Sequence, residues 1–163
     1  MPSHSQDDRE YVAARIDSRV AKLDAAFGRA EYLHGHPELL ADYSRHLCVQ
    51  VAGLLERSVQ ALFHDYATRS ASPQVSSYVE HSLERVGNVD EERLLKLVGY
   101  FSDEWKKDME EFLAEESGSA LNSIIGNRNN IAHGRDSSLS FHSMARYYEM
   151  AKKTIWRLES MLE

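Results

Sequence analysis

The chain has 163 residues, the length of one domain, and 42% of them are hydrophobic, which is enough to form a core without disulfide bonds or structural metals. The 28% of charged residues and the net charge of −7 exclude a disordered polyion and a general nucleic-acid coat. The single cysteine, Cys48, excludes an internal disulfide and a cysteine-based zinc site, and its apolar neighbours predict a buried thiol.

Apolar residues recur at steps of three and four along almost the whole chain, and no segment alternates with a period of two. This pattern predicts an all-α bundle of about five to six helices in one domain spanning residues 1–163. The first two helices are expected over residues 8–33 and 37–69, as a long antiparallel pair, with residues 1–7 as a disordered tail.

Ser72 and Pro73 predict the start of a short helix that ends near residue 86. Asn88 or Asp90 is expected to cap the next helix, which carries apolar residues up to 101. At residues 102–103 the pattern fits either a kink or a new helix start.

Residues 117–119, Ser-Gly-Ser, predict a break between helices. The following helix carries residues 121–132 and is expected to end at Gly134, because glycine commonly terminates helices. The last helix is predicted from about residue 140 to residue 161.

No apolar stretch reaches the ~18–20 residues needed to cross a bilayer, and residues 1–9 lack the apolar core of a secretory signal. We therefore expect a cytoplasmic protein with no membrane association.

The stretch Asn127–Gly134 concentrates an Arg, a His and three amides in eight residues. Asn129 and His133 are four positions apart and share a helix face, whereas Arg128 continues the apolar stripe and is expected to lean toward neighbouring helices. An Arg in that position needs a carboxylate or a phosphate as its partner.

Glu56 lies beside the apolar stripe of the second long helix. A carboxylate so close to the core usually pairs with a base from another helix, and Arg128 is a candidate for that base. A surface glutamate without a partner is an equally good interpretation at this point.

These residue types suit RNA cleavage without a metal or another cofactor. The guanidinium of Arg128 can stabilise a charged phosphorane, and the imidazole of His133 can exchange a proton near neutrality. Asn129 and Asn130 can orient a ribose or a phosphate, and Asn127 is a supporting residue of the site. One chain offers too few such groups, so a symmetric dimer that pairs two of these helices is the economical arrangement.

The competing interpretation is structural. Arg128 would then form an ion pair inside the bundle, and His133 would be a residue that favourably ends a helix.

At Arg128-Asn129-Asn130-Ile131-Ala132-His133 the sequence resembles the HEPN superfamily, whose motif is Arg, four to six residues, then His, with a polar residue after the Arg. The ending Ile131-Ala132-His133-Gly134 resembles the RiboL-PSP-HEPN branch. The similarity extends from about residue 40 to the C-terminus.

The resemblance implies a dimeric helical bundle with both motifs lining a shared cleft. It implies a metal-independent endoribonuclease, often a toxin or an anti-phage effector with an antitoxin or defence-system partner protein. Arg128 and His133 would then be catalytic, with Asn129 as the accompanying polar residue. The family also contains members that bind RNA or protein partners without cutting, and this non-catalytic scaffold is the alternative.

Overall fold

The computed structural model of the protein describes the backbone of residues 4–163 and the side chains of residues 7–163. Its helices are α1 (His4–Arg29), α2 (Pro37–Ser70), α3 (Pro73–Leu83), α4 (Glu91–Phe101), α5 (Asp103–Phe112), α6 (Gly118–Ala132) and α7 (Phe141–Met161). The described residues contain no strand, so the predicted all-α fold is confirmed. Of the tail expected over residues 1–7, residues 1–3 lie outside the described part, and α1 begins at His4.

The helices α1 and α2 form the predicted antiparallel pair. A 3-10 turn (Ala30–Leu33) follows α1, and Pro37 occupies the first turn of α2, where its missing N–H is not needed. The Tyr43 hydroxyl donates to the carbonyl oxygen of Ala26 at 2.7 Å, which fixes the two helices close to their connection.

The predicted break at residues 117–119 is wrong. A π-helical turn (Leu113–Ser117) joins α5 directly to α6, so that these two segments form one continuous helix. Residues 4–163 therefore contain six separate α-helical segments. Gly118 serves close packing instead: a Cβ there would lie 2.6 Å from the Glu91 carboxylate and 2.7 Å from the Leu113 carbonyl oxygen. Glycine is therefore required at this position by what surrounds it.

Two polar caps separate α3, α4 and α5. The Asp90 carboxylate accepts a hydrogen bond from the backbone N–H of Arg93 at 2.9 Å, so Asp90 is the cap of α4. Ser102 has extended backbone angles and its hydroxyl accepts from the N–H of Trp105 at 3.2 Å. Of the two interpretations of residues 102–103, a new helix start is therefore the observed one.

The helix α7 closes the bundle and is tied to α1 by a polar cluster around Tyr148. The Tyr148 hydroxyl lies 2.8 Å from an Asp24 carboxylate oxygen, and its ring stacks on Phe27 with centroids 4.4 Å apart. Lys152 is 3.2 Å from Asp24 and 2.8 Å from Glu149. Burial disfavours the charged amine, but hydrogen bonds to the two carboxylates outweigh it and raise the pKa of Lys152.

The thiol of Cys48 is fully buried, as predicted, and it fixes α6 against α2. Its sulfur lies 3.4 Å from the carbonyl oxygen of Ile124. Burial raises the pKa of Cys48 to about 11, so that the thiol stays protonated and behaves as a small apolar side chain.

Among residues 4–163, no helix is both long enough and apolar enough to cross a membrane.

Candidate functional site

The helix α6 carries the candidate residues and is held firmly at both ends. At its start the backbone N–H of Glu91 donates to Asn122 Oδ1 at 3.1 Å, and Asn122 Nδ2 donates to Glu91 Oε2 at 3.0 Å. At its end Gly134 has a φ of 64°, and its N–H bonds the carbonyl oxygen of Ile131. Gly134 therefore terminates the helix as predicted, because only this left-handed conformation turns the chain away there.

Arg128 is half-buried and points from α6 toward the loop between α3 and α4. Its Nη1 donates to Asn88 Oδ1 at 2.9 Å and lies 3.4 Å from Asn129 Oδ1. Both acceptors are neutral amides. Among the described side chains, no carboxylate lies within 4.0 Å of the guanidinium. The charge of Arg128 is therefore positioned by hydrogen bonds without being neutralised.

Asn88 is the residue that the sequence did not reveal as part of the site, because it reads as a helix cap. It has a φ of 51°, a left-handed conformation that asparagine tolerates better than most residues. The Arg93 guanidinium holds this loop by donating to the carbonyl oxygen of Gly87 at 2.8 Å. The Gly87-Asn88 pair was the available signal, since both residues favour positive φ.

A cavity of about 260 Å³ lies between α2, the Gly87–Asp90 loop and α6. Arg128, Asn88, Arg57 and Glu56 all line it. Of the two interpretations of Glu56, the ion pair is wrong: within the described residues its carboxylate has no base within 4.0 Å, and it lies near Gly87 instead. Glu56 and Arg128 share the cavity, but Asn88 takes the bond that Glu56 was expected to make.

His133 ends α6 on a different side from Arg128. Five residues at 3.6 per turn separate the two side chains by roughly 140° around the helix axis. The His133 side chain is exposed and does not line the cavity of Arg128. Arg128 and His133 therefore do not share this cavity within one chain.

The other asparagines of the stretch Asn127–Gly134 form hydrogen bonds that stabilise the turn after α6. Asn127 Nδ2 donates to the carbonyl oxygen of Ser123 at 2.8 Å, and the Ser137 hydroxyl donates to Asn127 Oδ1 at 2.7 Å. The backbone carbonyl of Asn130 accepts from the N–H of Arg135 at 2.8 Å. Asn127 and Asn130 thus hold the turn that follows His133, whereas Asn129 stands beside Arg128.

Chemically, the arrangement offers a positioned, unpaired guanidinium in a cavity and a separate exposed imidazole on one helix. A guanidinium of this kind suits a phosphate oxygen, and an imidazole suits proton transfer. Within residues 7–163, no cluster of three or more His, Cys, Asp or Glu side chains has a geometry that could hold a metal ion.

No curated protein and no solved structure matches the chain. The family model named RiboL-PSP-HEPN matches residues 15–163, which leaves residues 1–14 outside the match. The matched region contains α6 and the whole stretch Asn127–Gly134. The chain therefore belongs to the RiboL-PSP-HEPN family, a branch of the HEPN superfamily.

Proposed function

We propose that the protein is a metal-independent endoribonuclease that acts as a homodimer, with Arg128 and His133 as its catalytic residues and Asn129 beside them. Membership of a HEPN family supports a role on RNA in general terms. The assignment of a nuclease activity, a homodimer and the catalytic residues depends on the geometry of the site. We further propose that the enzyme is a toxin or a defence effector, controlled by an antitoxin or by another partner protein.

The observation that carries the proposal is the missing carboxylate at Arg128. A purely structural, half-buried arginine is expected to pair with an acid, because an unpaired charge near the core is costly. Arg128 is instead held by the oxygens of Asn88 and Asn129, which are neutral. A guanidinium that is oriented but not neutralised can take the negative charge of a substrate phosphate.

The reaction needs no group outside the chain. A base removes the proton of the ribose 2′-hydroxyl, and the 2′-oxygen attacks the adjacent phosphorus while the guanidinium of Arg128 stabilises the added charge. The bond from phosphorus to the 5′-oxygen breaks, and an acid protonates that oxygen. The products are a 2′,3′-cyclic phosphate and a 5′-hydroxyl. An imidazole such as that of His133 suits either proton transfer.

We include a second copy of the chain because the side chains of Arg128 and His133 leave α6 at directions that differ by roughly 140° around the helix axis. A two-fold axis beside α6 would bring His133 of one copy to the Arg128 cavity of the other. The exposure of His133 supports this arrangement, since its imidazole is free to reach a neighbouring chain.

The decisive experiment compares the purified wild-type protein with His133→Ala and Arg128→Ala. His81→Ala and Arg157→Ala serve as matched controls, because both residues are exposed and lie on other helices. We expect the two site variants to lose about 10²-fold or more of the RNA cleavage while the controls keep it. RNA ends should carry cyclic phosphates, and expression should arrest growth only when cleavage is intact. Cleavage by His133→Ala at the wild-type rate would contradict the proposal.

A second candidate function is RNA binding without cleavage. It is favoured by one observation: within the described residues, no hydrogen bond orients the imidazole of His133. In that case wild-type protein would leave RNA intact, and Arg128→Ala would weaken binding whereas His133→Ala would not. The same four variants therefore separate the two functions.

A further inference from the structure

Beside the Arg128 cavity lies a second, larger cavity that the site residues do not use. It has a volume of about 410 Å³ and lies between α1 and α2. Its charged and polar lining residues define what we call the α1–α2 groove: Arg19, Lys22, Arg29, His46, Gln50 and Arg57. Among the side chains of residues 7–163, no carboxylate lines this cavity, although the whole chain carries a net charge of −7.

The cations of the groove are not neutralised by nearby acids. Among the described side chains, no carboxylate lies within 4.0 Å of Arg19, Lys22, Arg29 or Arg57. Partial burial and the like charges of Arg15 and Arg57 lower the pKa of Arg19. Repulsion among these bases would be relieved by a bound polyanion.

The groove adjoins the Arg128 cavity. Gln50 and Arg57 line both of them, so the two spaces share a wall on α2. From Arg19 to Arg29 the groove follows ten residues of α1, which is about 15 Å at 1.5 Å per residue. In a stacked strand successive phosphates advance about 3.4 Å along the helix axis, so a groove of this length can contact more than one of them.

Acidic side chains line the cavities at both ends of the groove. A third cavity, of about 290 Å³, shares Arg19 and Arg57 with the groove, but its lining also includes Glu80 and Glu84. Arg15 lines that cavity as well, so the two glutamates reduce the positive charge there without cancelling it. At the other end, Glu56 is the one carboxylate among the described residues that lines the Arg128 cavity, together with Arg57 and Arg128. The groove between these two cavities is therefore the place where no acid offsets the positive charge, and a polyanion is favoured there.

We propose that the α1–α2 groove binds the phosphate backbone of the RNA and leads the strand to Arg128. This inference rests on the proposed function for the identity of the polyanion, and it adds a binding surface outside the motif. Groove cations of this kind contact phosphates and not bases, so the surface would supply affinity without sequence preference.

The test measures binding of wild-type protein to a single-stranded 2′-O-methyl RNA of mixed sequence by fluorescence anisotropy. This probe keeps the phosphate backbone but has no free 2′-hydroxyl, so binding is measured independently of cleavage. The groove variant combines Arg19→Glu, Lys22→Glu and Arg29→Glu. The control combines Lys96→Glu, Lys107→Glu and Lys153→Glu, which makes the same change of charge at exposed lysines on α4, α5 and α7.

We expect the groove variant to bind about tenfold more weakly or worse, and the slope of log K against log salt to flatten by about 2, since each lost phosphate contact removes about 0.7. The control should bind within a few-fold of the wild type. Equal losses in both triple variants would mean that only net charge matters, and would overturn the inference. Binding of polyglutamate as tight as that of RNA would also overturn it, because the groove would then fit acidic protein segments.

The proposal that the α1–α2 groove binds RNA and the proposal that the protein cleaves RNA can be contradicted independently. If the groove variant binds the probe as well as wild type while His133→Ala abolishes cleavage, the groove is wrong and the catalytic proposal stands. If wild type cuts no RNA but the groove variant loses binding and the control does not, the catalytic proposal is wrong and the binding surface stands.

Discussion

Arg128 on α6 donates a hydrogen bond of 2.9 Å to the side chain of Asn88, forty residues earlier in the loop between α3 and α4. Asn88 holds a left-handed backbone conformation, and so presents its amide oxygen to the guanidinium from a fixed position. A neutral acceptor orients Arg128 without cancelling its charge. The catalytic proposal depends on that distinction, because a carboxylate in the same place would compete with a substrate phosphate.

The first prediction exchanges the acceptor of Arg128. Asn88→Asp should lower RNA cleavage by about 10-fold to 100-fold, because a carboxylate would neutralise the guanidinium that must stabilise the phosphorane. Its thermal stability should stay equal or rise slightly, since aspartate also tolerates positive φ and gains an ion pair. Cleavage rates and melting curves measured on the same preparations check both parts.

Asn88→Gly is the control for this change. Glycine accepts the left-handed conformation and removes the amide without adding charge. Its cleavage should therefore stay well above that of Asn88→Asp. An Asn88→Asp protein that cuts RNA at the wild-type rate would show that the charge of Arg128 is not used.

The second prediction concerns the two glycines of α6. Gly118→Ala should destabilise the protein by more than about 2 kcal/mol, because the new methyl group would meet the Leu113 carbonyl oxygen and the Glu91 carboxylate at 2.6–2.7 Å. Gly126→Ala is the matched control on the same helix, where a Cβ meets nothing within 4 Å. It should stabilise by up to about 1 kcal/mol, since alanine is the better helix former. Urea unfolding of both variants measures the difference; equal effects would contradict the packing role of Gly118.

Local signals predicted most of the fold. The antiparallel pair of α1 and α2, the cap at Ser72, the last helix and the end at Gly134 follow from hydrophobic periodicity and from cap residues, which act within one turn of the chain. The family motif was also visible, because it lies within six consecutive residues.

The errors concern contacts between distant segments. Gly118 reads as a helix breaker in sequence, but the π-helical turn would bring the backbone carbonyl oxygen of Leu113 within 2.7 Å of a Cβ there, and the Glu91 side chain from α4 packs on the same position. Likewise, the helical pattern placed Glu56 and Arg128 toward a common space but could not decide which acceptor Arg128 would reach. Side-chain direction depends on the neighbouring loop, and the positive φ of Asn88 settles it.

The third prediction concerns Cys48, whose buried thiol has a pKa raised to about 11. At pH 8 only about one thiol in a thousand would then be ionised, so the folded protein should not react with a maleimide or a disulfide reagent, since the thiolate is the reactive form. Reaction should begin only in denaturant. Rapid labelling of the native protein would contradict the burial of this side chain.

The raised pKa of Cys48 also predicts that the stability of the fold decreases as the pH rises. Above the ordinary thiol pKa of about 9.0, the unfolded chain loses the Cys48 proton whereas the folded chain keeps it up to about pH 11. The unfolded state then binds fewer protons, so the free energy of unfolding must fall as pH rises through this window. Cys48→Ala removes this contribution. The difference in stability between wild type and Cys48→Ala should therefore shrink from pH 8 to pH 10.5.

The last prediction tests whether one catalytic centre takes Arg128 from one copy of the chain and His133 from the other. Arg128→Ala and His133→Ala proteins, each inactive alone, are mixed, unfolded and refolded together. A mixed dimer then has one centre with both residues intact and one with neither. With random pairing half of the dimers are mixed, so the mixture should recover about a quarter of the wild-type cleavage.

Different affinity tags on the two variants allow the mixed dimer to be isolated and its formation verified. Each variant refolded alone is the control for background activity. If the isolated mixed dimer is as inactive as its parents, the two residues act within the same chain, and a two-fold arrangement of α6 does not build the site.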